Sequence, residues 1–212
     1  MSNFTKIYSM KKIIWTLVLV ITFPIFSWAQ DTISLSQARK DNLIKTLNYR
    51  YKGGYYNFEK LFTKTVTYPE VARTNCIMGI TILSLTVDCD GTVSEVKMKN
   101  PLGYGVDDMI SNFVLATEGK WNNCTDTKYT KMDISIQFRT EGTQTAEDVA
   151  LLVCIGDNPG YVCNDDDYYL KKAQRYLEKG KGKKALEVLD VLTKRDPYNP
   201  TYYEMKKKAL SL

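Results

Sequence analysis

The chain has 212 residues, a formal net charge of +5, five cysteines and no histidine. With 44% hydrophobic and 25% charged residues, it has the composition of a folded globular protein and not of a disordered one. The missing imidazole excludes a Ser-His-Asp triad, a Cys-His pair and any His-containing zinc site, so an enzyme would lack the commonest acid–base group.

Lys6, Lys11 and Lys12 precede an apolar run over residues 13–26, and Ser27-Trp28-Ala29 follows with small residues at the −3 and −1 positions. That is the layout of a secretory signal peptide, residues 1–29, with cleavage expected after Ala29. The product would begin at Gln30, carry a net charge of +2, and be periplasmic or otherwise exported, soluble and without a membrane span. The competing reading is an uncleaved anchor over residues 13–29, near the shortest stretch that spans a bilayer and interrupted by Pro24. Residues 165–212 sum to +4 and residues 30–164 to −2, too local an excess to indicate nucleic acid binding.

Residues 30–52 read as a polar, partly helical extension, with a short helix over 42–51 ended by Gly53-Gly54, and a second helix is expected over 55–63. Pro69, in Tyr68-Pro69-Glu70-Val71-Ala72-Arg73, suits the first turn of a third. After Gly79 the period changes to two, with Thr81, Leu83, Leu85 and Val87 on one face of a strand. Ile80 and Ile82 on the other face suggest that this end is covered on both sides. Asp90-Gly91 signals a hairpin turn, with the return strand over 93–99. Asp88 and Asp90 read as turn formers, because Gly91 arrives too early for a calcium loop. Val106, Ile110, Phe113 and Val114 recur at helical spacing behind Asp107 and Asp108, which suit a helix N-terminus. Met132, Ile134, Ile136 and Phe138 then alternate in a third strand.

The ordered set Tyr68-Pro69-x-x-Ala72, Gly79, the alternating strand, Asp90-Gly91-x-Val93, a helix, Trp121 and a closing alternating strand resembles the C-terminal domain of TonB-type proteins. Gly53-Gly54 and the aromatic residues before Tyr68 resemble the Bacteroidetes versions. The resemblance covers residues 53–140 and implies an α+β fold: a small antiparallel sheet with a crossing helix. It also implies partner capture by strand addition, an extended segment joining an exposed edge mostly through main-chain hydrogen bonds. Carried over by position, that edge is Lys131, Asp133, Ser135, Gln137 and Arg139, with Thr67, Tyr68 and Pro69 nearby. A proline at Ser135 or Gln137 is expected to block capture.

Within that module, Cys89 at the end of the first strand and Cys124 at the entry to the third are expected to pair. Residues 141–164 read as a linker holding one apolar strand-like piece over 149–155. There Cys154 and Cys163 flank the turn Asp157-Asn158-Pro159-Gly160 and are expected to form a second disulfide, leaving Cys76 over. From Tyr169, the spacing of Ala173, Tyr176, Gly180, Ala185, Leu189, Leu192 and Pro197 resembles one tetratricopeptide repeat, so residues 165–212 are expected to be a helical hairpin with a capping helix. A lone repeat needs neighbours, which points to docking on the first module, stacking on a partner, or a homodimer.

Together these features imply a non-enzymatic exported adaptor that binds a protein of the cell envelope, with a TonB-dependent outer-membrane receptor as one candidate. No paired-carboxylate or phosphate-loop pattern is present, and neither a cofactor nor a metal is called for. The alternative is a membrane-anchored TonB-type energy transducer. Against it stand the absent anchor histidine, only six prolines for a spacer, and about 25 residues between Ala29 and the module, at most ~85–90 Å when extended.

Overall fold

A computed structural model describes residues 30–143, 145 and 149–212; the expected signal peptide lies outside the described residues. Among these residues there are seven α-helices, one 3₁₀ turn at Thr127–Tyr129 and four strands, an α+β arrangement. No helix among the described residues is long and apolar enough to cross a membrane.

Helix α1 (Gln30–Arg50) is longer than the short helix expected from residue 42, and Gly53, at φ 83°, starts α2 (Gly54–Thr65). The five-residue α3 (Glu70–Thr74) follows Pro69, which occupies its N-cap. Strand β1 (Gly79–Val87) is an inner strand of the sheet, and the Asp90-Gly91 turn returns the chain along β2 (Val93–Lys99). Helix α4 (Val106–Ala116) crosses over; Asp107 accepts the amides of Leu102 and Gly103 and fixes the loop leading into it. Strand β3 (Lys131–Thr140) then lies antiparallel to β1, with Leu83 opposite Ile134 and Leu85 opposite Met132.

The residues at period two and those at helical spacing meet in one core. Leu83, Leu85 and Val87 of β1 and Met132, Ile134, Ile136 and Phe138 of β3 pack against Leu47, Phe58, Phe62, Val106, Ile110 and Phe113 from the helices. Tyr51, Phe58, Phe113 and Trp121 form a chain of edge-on or tilted rings with centroids 5.0–5.9 Å apart, the favourable geometry for aromatic quadrupoles.

The expected antiparallel three-stranded sheet becomes a four-stranded mixed one, in the order β2-β1-β3-β4. Strand β4 (Leu152–Gly156) comes from the segment expected as a linker and runs parallel to β3, with Ile136 opposite Leu152 and Thr140 opposite Gly156. Its alternate residues Leu152 and Cys154 join the core, which an unpaired linker would leave exposed.

The chain ends in α5 (Asp166–Glu178), α6 (Gly182–Arg195) and α7 (Pro200–Leu210), around a small core of Ala173, Leu177, Ala185, Leu189, Leu192 and Tyr202. Side-chain caps at Asp165 and Asn199 start α5 and α7. The hairpin docks on β1. A Cβ at Gly79 would sit 2.4 Å from the Lys194 carbonyl, which also accepts the Asn100 amide at 3.0 Å. Ile80, on the sheet face away from the main core, is fully buried, as the second apolar face of β1 suggests. Arg39 of α1 stacks 4.0 Å from the Tyr198 ring.

Candidate functional site

Strand β4 takes the place where an added strand was expected. The Ser135 carbonyl accepts the Leu151 amide at 3.0 Å, whereas the Thr130 carbonyl accepts from Val87 of β1, so Lys131, Asp133, Ser135 and Gln137 turn their main chain away from β1 by strand alternation. From Ile136 onward β4 occupies that side. Ser135 and Gln137 are buried, Arg139 is half-buried, and Gln137 Nε2 lies 3.4 Å from Thr145 Oγ1. The C-terminal half of the expected edge is therefore not an edge. The apolar run that supplies β4 gains a ladder and core contacts at once, and a proline at Ser135 or Gln137 would break that internal ladder.

Lys131 and Asp133 remain in the uncovered half. They line a cleft of about 360 Å³, bounded on α1 by Arg39, Leu43 and Thr46 and closed by Leu151 and Tyr198. Asp133 is occupied on the other face of the sheet: its carboxylate accepts the Ser84 hydroxyl at 2.7 Å and pairs with Lys99 at 2.9 Å. Burial pulls this carboxyl upward, yet those two partners hold it below its ordinary range.

The sheet's true outer edge on this side is β4. Gly156 accepts the Glu141 amide, so the even residues of β4 bond to β3, and alternation turns the main chain of Val153 and Ile155 outward. Both side chains are exposed. They border a groove of about 540 Å³ whose other wall includes Phe62, Thr63, Thr67, Tyr68 and Arg73. Tyr68 is held by its hydroxyl, which donates to the Ile77 carbonyl, and by its ring, 5.6 Å from that of Phe138. Burial raises its phenol. Gly156 is needed for this approach, since a Cβ there would lie 2.3 Å from the Tyr68 ring. Thr67 and Tyr68 thus flank β4 and not the open half of β3, while Pro69 stands outside the groove and caps α3.

Sequence reasoning missed Val153, Ile155 and Arg73. All five residues of 151–155 are apolar, so the in–out alternation of β4 leaves no trace in composition. The available signal was the length of the run, which suits a strand covered on one face and one edge.

The cysteines divide the expectation. Cys89 is bonded to Cys124, as expected, whereas Cys163 is bonded to Cys76 and Cys154 is free and buried. The predicted Cys154–Cys163 pair fails because β4 turns Cys154 into the core while the chain beyond it runs along α3. Arg73 reaches towards the Asp157 and Asn158 carbonyls at 3.5 Å, and Tyr161 donates to the Thr74 carbonyl. Cys163 therefore arrives at Cys76. Burial pushes the Cys154 thiol up to about 11.

Among the described residues no group of three or more Cys, Asp or Glu side chains is arranged to hold a metal ion. Asp90, of the pair considered for calcium, accepts the Thr92 amide at 2.8 Å, and this bond keeps its carboxyl below the ordinary value. What the fold presents instead is a disulfide-stapled α+β module with unpaired strand edges and a docked helical hairpin. No family model, curated protein or solved structure matches the chain.

Proposed function

We propose that this chain is a non-enzymatic, exported adaptor of the cell envelope that takes up an extended segment of a partner protein by strand addition on the outer edge of β4. The observation that carries the reading is the pairing of outward main-chain groups at Val153 and Ile155 with exposed apolar side chains, in a groove already walled on its far side. Such an edge supplies affinity through main-chain hydrogen bonds and selectivity through alternate side-chain pockets. The resemblance of residues 53–140 to TonB C-terminal domains supports an envelope partner, of which a TonB-dependent outer-membrane receptor is one. The two disulfides fit an oxidising compartment, and the signal-peptide layout of residues 1–29 fits export to the periplasm.

The test is photo-crosslinking in the envelope from position 153 or 155, combined with Val153→Pro and Ile155→Pro variants. Those amides face away from β3, so proline removes donors only from the outer edge. One identified envelope protein should be crosslinked, and its capture should be lost in both proline variants while the β3–β4 ladder persists. Capture unchanged by both variants would refute strand addition here.

A further inference from the structure

At the opposite margin of the sheet, β2 has an outer edge that no strand among the described residues pairs with, and its residues prescribe an occupant. The β1–β2 register places Glu95, Lys97 and Lys99 opposite Thr86, Ser84 and Ile82. Val87 bonds to Thr130 of β3, so by alternation Thr86, Ser84 and Ile82 bond to β2. Glu95, Lys97 and Lys99 therefore turn their main chain towards β1, and Val96 and Met98 turn theirs outward. Val96 is 45% exposed, although it lies on the same face as the core residue Leu85, its partner on β1. On the other face Glu95 meets only the Thr86 hydroxyl, at 3.3 Å, and Lys97 has no carboxylate within 4 Å among the described residues.

We propose that this edge pairs antiparallel with the β2 of a second copy, about a two-fold axis through Val96. Outward groups can bond only to outward groups, so the axis must pass through a residue. Through Val96, Glu95 of each copy faces Lys97 of the other, twice by symmetry, and Val96 packs on Val96. An axis through Glu95 opposes two glutamates, one through Lys97 opposes two lysines, and one through Met98 opposes Lys97 to Lys99 twice. One register alone sets opposite charges together without a like-charge clash, and charged edges restrict pairing in just this way. The ladder is short, because the register shift between Thr86 and Val87 makes Ser94 an extra, bulged residue. The dimer is consequently a weak one, and it leaves both β4 edges free to hold two partner segments.

Sedimentation equilibrium of the exported chain up to about 1 mM tests this independently of any partner. The parent should dimerise. Glu95→Lys and Lys97→Glu, both at exposed positions, should each weaken the dimer about tenfold or more, and the double reversal should return to within about threefold of the parent. A chain monomeric throughout, single reversals without effect, or a double variant no tighter than the singles would overturn the proposal.

Discussion

The α+β module and the helical hairpin hold themselves together by different means. The module buries a contiguous cluster of aromatic and branched side chains beneath one face of its sheet and adds two disulfides, Cys76–Cys163 and Cys89–Cys124. The hairpin has a core lined by alanines and a few larger residues, with no cysteine, and it relies on Arg195. That guanidinium is 1% exposed, pairs with Asp166 at 2.8 Å and stacks 4.8 Å from the Tyr169 ring. A region with a large apolar core can be tightened from outside by covalent staples. A region too small for one leans on a buried charged contact, Arg195 with Asp166, and on docking through Lys194 against Gly79 and Asn100.

The sharpest way to break this contrast is to remove the longer staple. Replacing Cys76 and Cys163 with serine releases a link across 87 residues, and loop-closure entropy puts the loss at about 4–5 kcal/mol in urea unfolding. If the hairpin unfolds at the same midpoint as the module, the two regions are one cooperative unit. Separate transitions would show that docking at Gly79 couples them only weakly.

Asp166→Ala strikes the other region. It leaves a buried guanidinium whose Nε and Nη2 already lack hydrogen-bond partners among the described residues, and it should cost about 2–4 kcal/mol, less than a fully buried pair because Asp166 is 19% exposed. The double change Asp166→Leu with Arg195→Met should recover most of that loss in the same assay, since it removes both charges.

The smallest effect concerns Cys154 and vanishes at neutral pH. Burial raises the folded thiol from 9.0 to about 11, so between those values the unfolded chain loses its proton while the native chain keeps it. Native stability therefore falls as pH rises through that window and is untouched below it. Measured against Cys154→Val, which has no thiol to titrate, the parent should lose relative stability above about pH 9 and hold a constant difference below it.

Much of the module was legible because its periods are clean. Alternation at Thr81 to Val87 and at Met132 to Phe138 marks strands with one face on a core, and Val106, Ile110, Phe113 and Val114 mark the helix that covers them. The candidate edge was legible only in part. Lys131 and Asp133 do lie on an uncovered stretch, but Ser135, Gln137 and Arg139 lie beneath β4, whose near-uniform apolar run conceals its own alternation. Pairing Cys154 with Cys163 failed for a related reason. Proximity across a turn says nothing about which face of a strand carries the sulfur.

The absent histidine, the signal-peptide layout and the two alternating strands follow from residue types and short spacings, where local stereochemistry and nearest neighbours suffice. The Cys89–Cys124 link, across 35 residues, was expected only from the strand arrangement that the resemblance implies. Which strand stands at the edge, which cysteine meets Cys163 and where the hairpin docks depend on contacts between segments far apart in the chain. Those were decided by competition for the same ladder positions and the same core volume, and only the assembled sheet shows that β4 prevails at β3 and leaves its own outer edge open.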